Sequence, residues 1–353
     1  VYPPMSTFLE RQGIQIFPGY KAQNIPETAE VIVVGNAISR GNEEAEATLE
    51  RKLLYVSLPE ILKDHFLRGR RNLVVSGTHG KTTTSSILAW ILKSAGVDPS
   101  YMIGGIPRNL GQGATFTDSD FVVLEGDEYD TAFFDKRSKF LHYLPEVVVI
   151  NNIEFDHADI YNSLDEIKLT FKRLLNIVPR NGMAFVNGDC VNTMDVASDG
   201  PAPITTVGLG AKCDLQITDI DYGRENTSFV LDGEHYVLPM AGEFNVRNAA
   251  MAICTASFSG FSADQIRQGL ASFEGIARRQ EVRGIAGGVR VIDDFAHHPT
   301  AIEFSSNALV TKNPLKKILG LIELGSNTMS GGSHGLSLVE SAQSLTHVIW
   351  LDH

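Results

Sequence analysis

The chain has 353 residues, 43% hydrophobic and 20% charged, which is enough apolar material for two or three domain cores and argues against an intrinsically disordered protein. A net charge of −12 at pH 7 with no basic block argues against a nucleic-acid partner. No apolar run approaches the ~20 residues of a membrane span, and the three widely separated cysteines indicate neither a disulfide framework nor a metal knuckle. We therefore expect a cytoplasmic enzyme, away from membranes, and nothing in the sequence implies an obligatory protein partner.

The first predicted domain covers residues 1–70 and alternates helix and strand. The pattern predicts helices at 5–11, near Asn42 and at 58–67, and strands at 15–17 and 31–34. The chain begins at V-Y-P-P without an initiator methionine, so we expect the start of this domain to be missing. A polar stretch at 68–71 sets the boundary.

The second predicted domain covers residues 71–277 and contains apolar strands at 73–75, 121–124 and 147–150. Strands that are apolar throughout and alternate with helices indicate a mostly parallel sheet. Shorter, more alternating strands then follow, at 183–186, 204–209, 215–218 and 236–239. We expect these to form a small antiparallel addition, followed by helices at 245–258 and 263–273.

The third predicted domain covers residues 278–353. A charged, glycine-marked stretch at 274–284 is interpreted as the linker before it. Beyond the linker the pattern predicts strand 289–292, a helix from Thr300, strand 317–321, a helix near Leu336 and strand 348–351. This doubly wound, Rossmann-like order stops on a strand, so we expect the domain to be incomplete at its end.

The residues that carry the most information are V-V-S-G-T-H-G-K-T-T-T at 74–84, between a predicted strand and a predicted helix. Glycines let backbone N–H groups close on phosphate oxygens, and the helix start adds partial positive charge. Lys81 would neutralise the outer phosphates, and the Thr82 hydroxyl would reach a phosphate-bound Mg²⁺. The predicted nucleotide-binding residues here are Gly77, Thr78, His79, Gly80, Lys81, Thr82 and Thr83. The alternative is a chance glycine turn, since Val75 stands where the longer phosphate-loop motif has glycine.

Two polar segments follow the neighbouring strands. Glu125 opens E-G-D-E-Y-D directly after the strand at 121–124, where a second Mg²⁺ contact is expected. The remaining acids of that segment could be a solvated turn. His157 lies in N-N-I-E-F-D-H-A-D-I-Y after the next strand, and we interpret it as a ligand of a second metal ion. A structural histidine is the alternative.

Three further motifs bear on nucleotide binding. Asn245 and Asn248 open a helix, where they could cap its first turn or hydrogen-bond an adenine edge. Arg279 in the linker could reach a phosphate or be an ordinary surface residue. Asp294 and His297 lie at a strand-to-helix junction, where the aspartate could hold a ribose.

In their order along the chain these motifs resemble the Mur ligase family, the ATP-dependent enzymes that form amide bonds in peptidoglycan synthesis: G-T-H-G-K-T-T-T, E-G-D-E-Y-D, N-N-I-E-F-D-H-A-D-I-Y, N-x-x-N-A-A, A-R-R and D-D-F-A-H-H-P-T. The resemblance covers nearly the whole chain. It implies an α/β fold of three domains: a Rossmann-like UDP-sugar domain, a central P-loop ATPase domain with a parallel sheet plus a small antiparallel sheet, and a Rossmann-like peptide-binding domain.

Within the family the chain is most similar to the ligases that add a recycled tripeptide, on G-N-A-I-S-R-G-N (35–42), the segment 129–143 and S-N-T-M (326–329). This implies ATP and Mg²⁺ as cofactors, UDP-N-acetylmuramate and L-alanyl-γ-D-glutamyl-meso-diaminopimelate as substrates, and an acyl-phosphate intermediate. The alternatives are a UDP-N-acetylmuramate–L-alanine ligase and a nucleotide-binding protein without turnover. By position, the resemblance implies these roles: Lys81 and Arg279 at the phosphates, Thr82 and Glu125 on one Mg²⁺, His157 on a second, Asn245 and Asn248 near adenine, and Asp294 at the ribose.

The chain departs from the family pattern at three positions. Phe244 stands where the motif before Asn245 usually has histidine, and Gly325 precedes S-N-T-M where an arginine is usual. Phe171 occupies the position at which some relatives carry a carbamylated lysine, so we predict none here.

Overall fold

The computed structural model describes residues 5–156, 160–223, 226–325, 327–332 and 334–351. The helices are α1 Met5–Arg11, α2 Glu43–Glu50, α3 Leu58–Leu62, α4 Lys81–Ser94, α5 Leu164–Asn176, α6 Val191–Val196, α7 Glu243–Phe258, α8 Ala263–Ala271, α9 Pro299–Lys312, α10 Asn327–Ser330 and α11 Leu336–Glu340. The strands are β1 Ile32–Val34, β2 Tyr55–Ser57, β3 Arg71–Ser76, β4 Ser100–Met102, β5 Ala114–Thr115, β6 Phe121–Glu125, β7 Asp130–Ala132, β8 Asp135–Ser138, β9 Val147–Ile150, β10 Met183–Asn187, β11 Ile204–Gly208, β12 Leu215–Tyr222, β13 Thr227–Leu231, β14 Glu234–Leu238, β15 Glu281–Ala286, β16 Val289–Asp293, β17 Leu319–Glu323 and β18 His347–Leu351.

The chain forms two compact units, and the first consists of Val1–His65 with Asp130–Arg137. In it β1 pairs with β2 in parallel, and Asn42 caps α2 by accepting the N–H groups of Glu44 and Ala45, both at 3.1 Å. The predicted helices at 5–11 and near Asn42 are confirmed, as is the strand at 31–34. The predicted strand at 15–17 is wrong: these residues form no strand, because the short run between Gly13 and Gly19 leaves its side chains largely exposed.

The second unit, Phe66–Tyr129 with Ser138–His353, contains a ten-stranded sheet in the order β14-β13-β12-β11-β10-β9-β3-β6-β4-β5. Its central strands run parallel, and in register Val74 of β3 pairs with Leu124 of β6 and Val148 of β9. These three side chains are almost completely buried, as the continuous apolar runs predict for strands covered on both faces. Because the strands are parallel, the residues that follow β3, β6 and β9 meet at one edge.

The predicted antiparallel addition is wrong in two of its strands. β10 pairs in parallel with both β9 and β11, because α5 and α6 provide crossover connections before and after it. At this end of the sheet, the antiparallel pairs join β12, β13 and β14, which continue the same sheet to its edge. Short strands with polar ends resemble antiparallel strands when the crossover helices are short.

One face of this sheet packs against α4, α7 and α8. Leu88 and Ile91 of α4 are fully buried among the alanines of α7, whose small side chains let the helices come close. Gly269 lets α8 come equally close to α4, since a Cβ atom there would lie 2.8 Å from the Ile91 Cα. The opposite face carries α5, where the rings of Phe171 and Phe140 lie 5.5 Å apart.

Replacing Leu88 by alanine is expected to lower the free energy of unfolding by about 2–5 kcal/mol, because the fully buried side chain leaves a cavity that helices packed on both sides cannot close. Urea denaturation followed by circular dichroism measures the loss. Val191→Ala, at a side chain 82% exposed, is the control and should change the value by less than about 0.5 kcal/mol. Equal losses for the two variants would contradict this assignment of the core.

The region after Phe273 differs from its prediction at one place. The stretch interpreted as a linker contains β15, which forms an antiparallel hairpin with β16, and its glycine and charged residues lie on an exposed strand. The predicted helix from Thr300, the helix near Leu336 and the strands before and after it are confirmed, and β17 pairs with β18 in parallel. The domain boundaries after residues 70 and 277 stay predictions. Among the described residues, no helix is long and apolar enough to cross a membrane.

Candidate functional site

The loop between β3 and α4 is held in place from the end of a neighbouring strand. Gly80, the N-cap of α4, has φ +82°, and a Cβ atom there would overlap the side chain of Asn248. The N–H of Thr78 donates to the backbone oxygen of Asn152 (2.9 Å), and the N–H of His79 donates to the Asn152 side-chain oxygen (2.8 Å). The first-turn N–H groups of α4 have no acceptor within the helix. This fixed backbone suits the phosphate groups of a nucleotide.

Lys81 lies at the start of α4 beside a buried carboxylate. Its Nζ is 2.7 Å from Glu128 Oε2, and the two side chains are 13% and 2% exposed. Burial lowers the pKa of Lys81, but the negative charges of Glu128 and Asp127 outweigh it, so the pKa is raised. The group therefore stays cationic, as neutralising a phosphate requires.

Thr82 and Glu125 bring a hydroxyl and a carboxylate together. Thr82 Oγ1 donates to Glu125 Oε1 at 2.9 Å, and the N–H of Gly104 donates to Glu125 Oε2 at 2.7 Å. Burial raises the pKa of Glu125, against the opposing effects of the Gly104 N–H and the Lys81 charge. A cation placed here would favour the ionised form. Two hard oxygen groups next to the phosphate loop fit Mg²⁺, which prefers such ligands.

A cavity of about 250 Å³ opens beside α7, at the ends of β9 and β10. Its lining includes Asn151, Asn152, Asn187, Asp189, Phe244, Arg247, Asn248 and Phe304. Asn248 is 2% exposed, and its Nδ2 has no hydrogen-bond partner in the part of the chain that the structure describes. The rings of Phe244 and Phe304 stack with centroids 4.9 Å apart and planes at 16°. An unused amide donor and flat aromatic surfaces suit a nucleotide base.

A second polar cluster is centred on Glu154, which also lines the cavity. Glu154 Oε2 is 3.4 Å from His79 Nε2 and 3.7 Å from His298 Nδ1, and it accepts the Thr300 hydroxyl at 2.6 Å. Burial raises the pKa of Glu154, but the close approach of His79, the hydrogen bond from Thr300 and the charge interaction with the histidines outweigh it and lower the pKa to about 2. Burial, with the neighbouring His79 charge, lowers the pKa of His298 to about 4. At pH 7 the carboxylate is therefore ionised and the His298 imidazole neutral.

Two family models match the chain. One is described as the Mur ligase middle domain and matches residues 75–256, and the other, described as the Mur ligase family, catalytic domain, matches residues 1–70. The UDP-N-acetylmuramate–L-alanyl-γ-D-glutamyl-meso-2,6-diaminoheptandioate ligase of Escherichia coli (strain K12) is 42% identical over 336 residues, 94% of this chain and 73% of that protein. The chain belongs to the Mur ligase family.

Two further proteins are similar to this Mur ligase. The crystal structure of a murein peptide ligase from Psychrobacter arcticus 273-4 has a TM-score of 0.78 and 35% identity, and the match covers 99% of this chain and 77% of that one. A UDP-N-acetylmuramate–L-alanine ligase from Geobacter sp. (strain M21) is 35% identical over 305 residues, 85% of this chain and 64% of that protein. The α/β fold of the family is thereby confirmed, and the chain is a ligase of the amide-forming kind.

The structure brings most of the predicted site residues together at one sheet edge. In this Mur ligase the loop and the first turn of α4 hold Gly77, Thr78, His79, Gly80, Lys81, Thr82 and Thr83, with Glu125 and Asn248 beside them. His157 lies outside the described residues, so its metal role stays a prediction. Asn245 donates its side-chain amide to the Ala241 oxygen at 2.8 Å and is not among the residues that line the cavity.

The predicted site residues of the third domain, Asp294, Arg279 and His297, contact neighbouring residues of the same domain. The carboxylate of Asp294 accepts the N–H groups of Gln280 (3.0 Å) and Ala296 (2.9 Å). The guanidinium carbon of Arg279 lies 5.7 Å from the centroid of the Phe295 ring, and His297 Nδ1 is 2.9 Å from the Phe295 oxygen. Their roles at ribose and phosphate stay predictions.

The two remaining departures from the family pattern are at Phe171 and Gly325. Phe171 is fully buried in α5, and a Cβ atom at Gly325 would meet no atom of the described residues within 4 Å. The expected absence of a carbamylated lysine stays a prediction.

Sequence reasoning missed two features of the site. The sequence pattern assigns Glu128 to a run of acids that could form a solvated turn, yet in the structure it is the buried partner of Lys81. The contact of Glu154 with His79 and His298 was not foreseen, since these residues lie in three separate motifs. The doubled histidine in D-D-F-A-H-H-P-T is a signal for this cluster, although the prediction names His297 rather than its neighbour His298.

The free energy of unfolding is expected to fall by on the order of 1–3 kcal/mol as the pH drops from about 6.5 to 4. The reason is that His298 takes up a proton at its usual pKa in the unfolded chain but only near pH 4 in the folded protein. The groups facing His298 are His79, Asp156, Glu154 and His334. Because the pKa of Glu154 is depressed from 4.5 to about 2, a further loss follows below pH 4.5. Thermal denaturation against pH should show a shallower slope for His298→Asn between pH 4 and 6.5. The exposed His235→Asn is the control, and an unchanged slope in both variants would refute the assignment.

Proposed function

We propose that this Mur ligase joins the carboxylate of UDP-N-acetylmuramate to the free amine of L-alanyl-γ-D-glutamyl-meso-diaminopimelate, with ATP and Mg²⁺, in the recycling of cell-wall peptide. The observation that carries the proposal is the Lys81, Thr82 and Glu125 constellation at the end of parallel strands. The substrates are supported by similarity to the E. coli ligase, whose name contains both of them.

The chemical problem is to bring two anions together, the lactyl carboxylate and the γ-phosphate of ATP. Lys81 is held cationic at the start of α4 and would oppose their repulsion and stabilise charge in the transition state. Thr82 and Glu125 would hold Mg²⁺, with His157 as a predicted further ligand. When bound, the ion supplies charge neutralisation at the phosphates.

The proposed reaction has two steps. The carboxylate takes the γ-phosphoryl group and ADP leaves, which gives an acyl phosphate. The amine of the peptide then attacks the carbonyl carbon, so the C–N bond forms, phosphate leaves and the amine loses a proton. Fixed loop geometry limits the reorganisation needed at the first step, because Asn152 already holds the backbone of Thr78 and His79.

The cavity beside α7 is proposed as the adenine site. Asn248 offers an unused amide donor, and the stacked Phe244 and Phe304 offer apolar surface. Phe244 would thus contribute packing where histidine is usual in the family.

The test is UDP-N-acetylmuramate-dependent release of ADP with each amine substrate in turn. The tripeptide should support turnover, and L-alanine should support little. Rapid turnover with L-alanine alone would instead establish the second candidate, a UDP-N-acetylmuramate–L-alanine ligase, which the similarity to the Geobacter protein favours. Nucleotide binding without ADP release under either condition would establish a protein without turnover.

We further propose that the reaction takes place in the cytoplasm. The support is the presence of three free cysteines, Cys190, Cys213 and Cys254, which are typical of a reducing compartment. Cell fractionation with an antibody against the chain tests the location.

A further inference from the structure

Three potential metal ligands converge next to the phosphate loop, apart from the Thr82 and Glu125 pair. His79 Nε2, Glu154 Oε2 and His298 Nδ1 all lie within 4.8 Å of one another. Both histidines are more than nine-tenths buried, at 8% and 6% exposed. His79 Nε2 is inaccessible and makes no hydrogen bond within the described ranges, although the Glu154 oxygen is only 3.4 Å away. This close approach without a hydrogen bond is what two ligands of one cation would show.

We propose that His79, Glu154 and His298 form a binding site for a divalent transition-metal cation of the Zn²⁺ class, with water in the fourth position. Two ligands at about 2.1 Å from a tetrahedral centre lie about 3.4 Å apart. The observed separations of 3.4 Å and 3.7 Å from the Glu154 oxygen need little adjustment to reach that geometry.

The chemistry of the ligands selects the class of cation. Two imidazole nitrogens and one carboxylate oxygen suit Zn²⁺, Co²⁺ or Ni²⁺, whereas Mg²⁺ and Ca²⁺ prefer oxygen ligands alone. Glu154 is ionised and His298 neutral at pH 7, so the cation meets both in the form that binds metals. The site thus differs in class from the oxygen pair that suits Mg²⁺.

Neighbouring groups hold the ligands in position. The Thr300 hydroxyl donates to Glu154 Oε2 at 2.6 Å, and the His334 ring packs edge-on against His298 with centroids 4.7 Å apart. Outer contacts of this kind orient ligands at metal centres. The cation would displace one weak contact, the hydrogen bond of 3.3 Å from the Thr300 N–H to His298 Nδ1.

The site would connect three chain segments that are distant in sequence. His79 lies in the phosphate loop, Glu154 follows β9, and His298 is the N-cap of α9. A bound cation would fix the start of α9 against the phosphate loop, two residues from Lys81. It would therefore stabilise the folded protein in the absence of any nucleotide or substrate.

The test is titration of the full chain, stripped with EDTA, with Zn²⁺ in excess Mg²⁺ by calorimetry, and with Co²⁺ by visible absorption. We expect one equivalent of Zn²⁺, a raised melting temperature and the strong absorption of tetrahedral Co²⁺. His298→Ala and Glu154→Gln should each weaken Zn²⁺ binding by at least about tenfold. His235→Ala, at an exposed histidine on β14, is the matched control and should bind as the wild type does. Circular dichroism of the metal-free variants establishes that they are folded.

Two results would overturn the proposal. One is wild-type affinity in both His298→Ala and Glu154→Gln, or no Zn²⁺ binding above the Mg²⁺ background. The other is loss of Zn²⁺ binding in Glu125→Gln, which would move the cation to the oxygen pair. Neither measurement uses ATP or a peptide, so the outcome is independent of the ligase activity proposed above.

Discussion

Lys81→Ala is expected to lower kcat for ADP release by on the order of 10³-fold, because the variant loses the buried cation that we propose neutralises the transferring phosphoryl group. A coupled assay with UDP-N-acetylmuramate and the tripeptide measures the loss. Lys93→Ala, in the last turn of the same helix with a side chain 43% exposed, is the matched control and should keep near-normal turnover. Normal turnover in Lys81→Ala would rule out the proposed role of the phosphate loop.

Stability must be separated from chemistry in this experiment. Removing Lys81 takes the ammonium group away from the buried Glu128 carboxylate, at a cost of about 3–5 kcal/mol in the free energy of unfolding. The double variant Lys81→Ala/Glu128→Gln should recover most of that stability and still turn over as slowly as the single variant. If the double variant regained activity, the defect of Lys81→Ala would be one of folding rather than of phosphate neutralisation.

Glu125→Gln is expected to lower kcat by on the order of 10²-fold and to raise the Mg²⁺ concentration needed for half-maximal rate. Glutamine keeps an oxygen that can accept from Thr82 or Gly104, so the variant removes charge with little change in shape. Rates measured across a Mg²⁺ series separate the two effects. Glu274→Gln, at an exposed position, should leave both unchanged. An unaltered Mg²⁺ dependence in Glu125→Gln would contradict its assignment as a ligand.

The part of the site that could be predicted depends on short-range sequence patterns at the ends of strands. A glycine loop between an apolar strand and a helix, and an acid directly after the next strand, follow from the rule that parallel strands end at one edge. Lys81, Thr82 and Glu125 were found in this way, and their contacts agree with that placement.

What could not be predicted depends on contacts between distant segments. Glu154 and His298 are 144 positions apart, and no periodicity links a loop after β9 to the cap of α9. The pairing of Lys81 with Glu128, rather than with another acid of the same turn, is decided by the path of the backbone after β6. The parallel pairing of β10 with β11 does not follow from the pattern, because polar strand ends resemble an antiparallel edge when the connecting helix α6 is only six residues long.

The strand order of the large sheet also has a consequence for synthesis of the chain. β3 lies between β6 and β9, so its second neighbour emerges from the ribosome only after residue 150. At roughly 5–20 residues per second, the nascent chain carries β3 without that neighbour for about 4–15 s. During this interval Asn152, which holds the backbone of Thr78 and His79, has not yet been made. The phosphate loop therefore acquires its shape only after β9 and Asn152 have been translated, 73 residues after His79 of the loop itself.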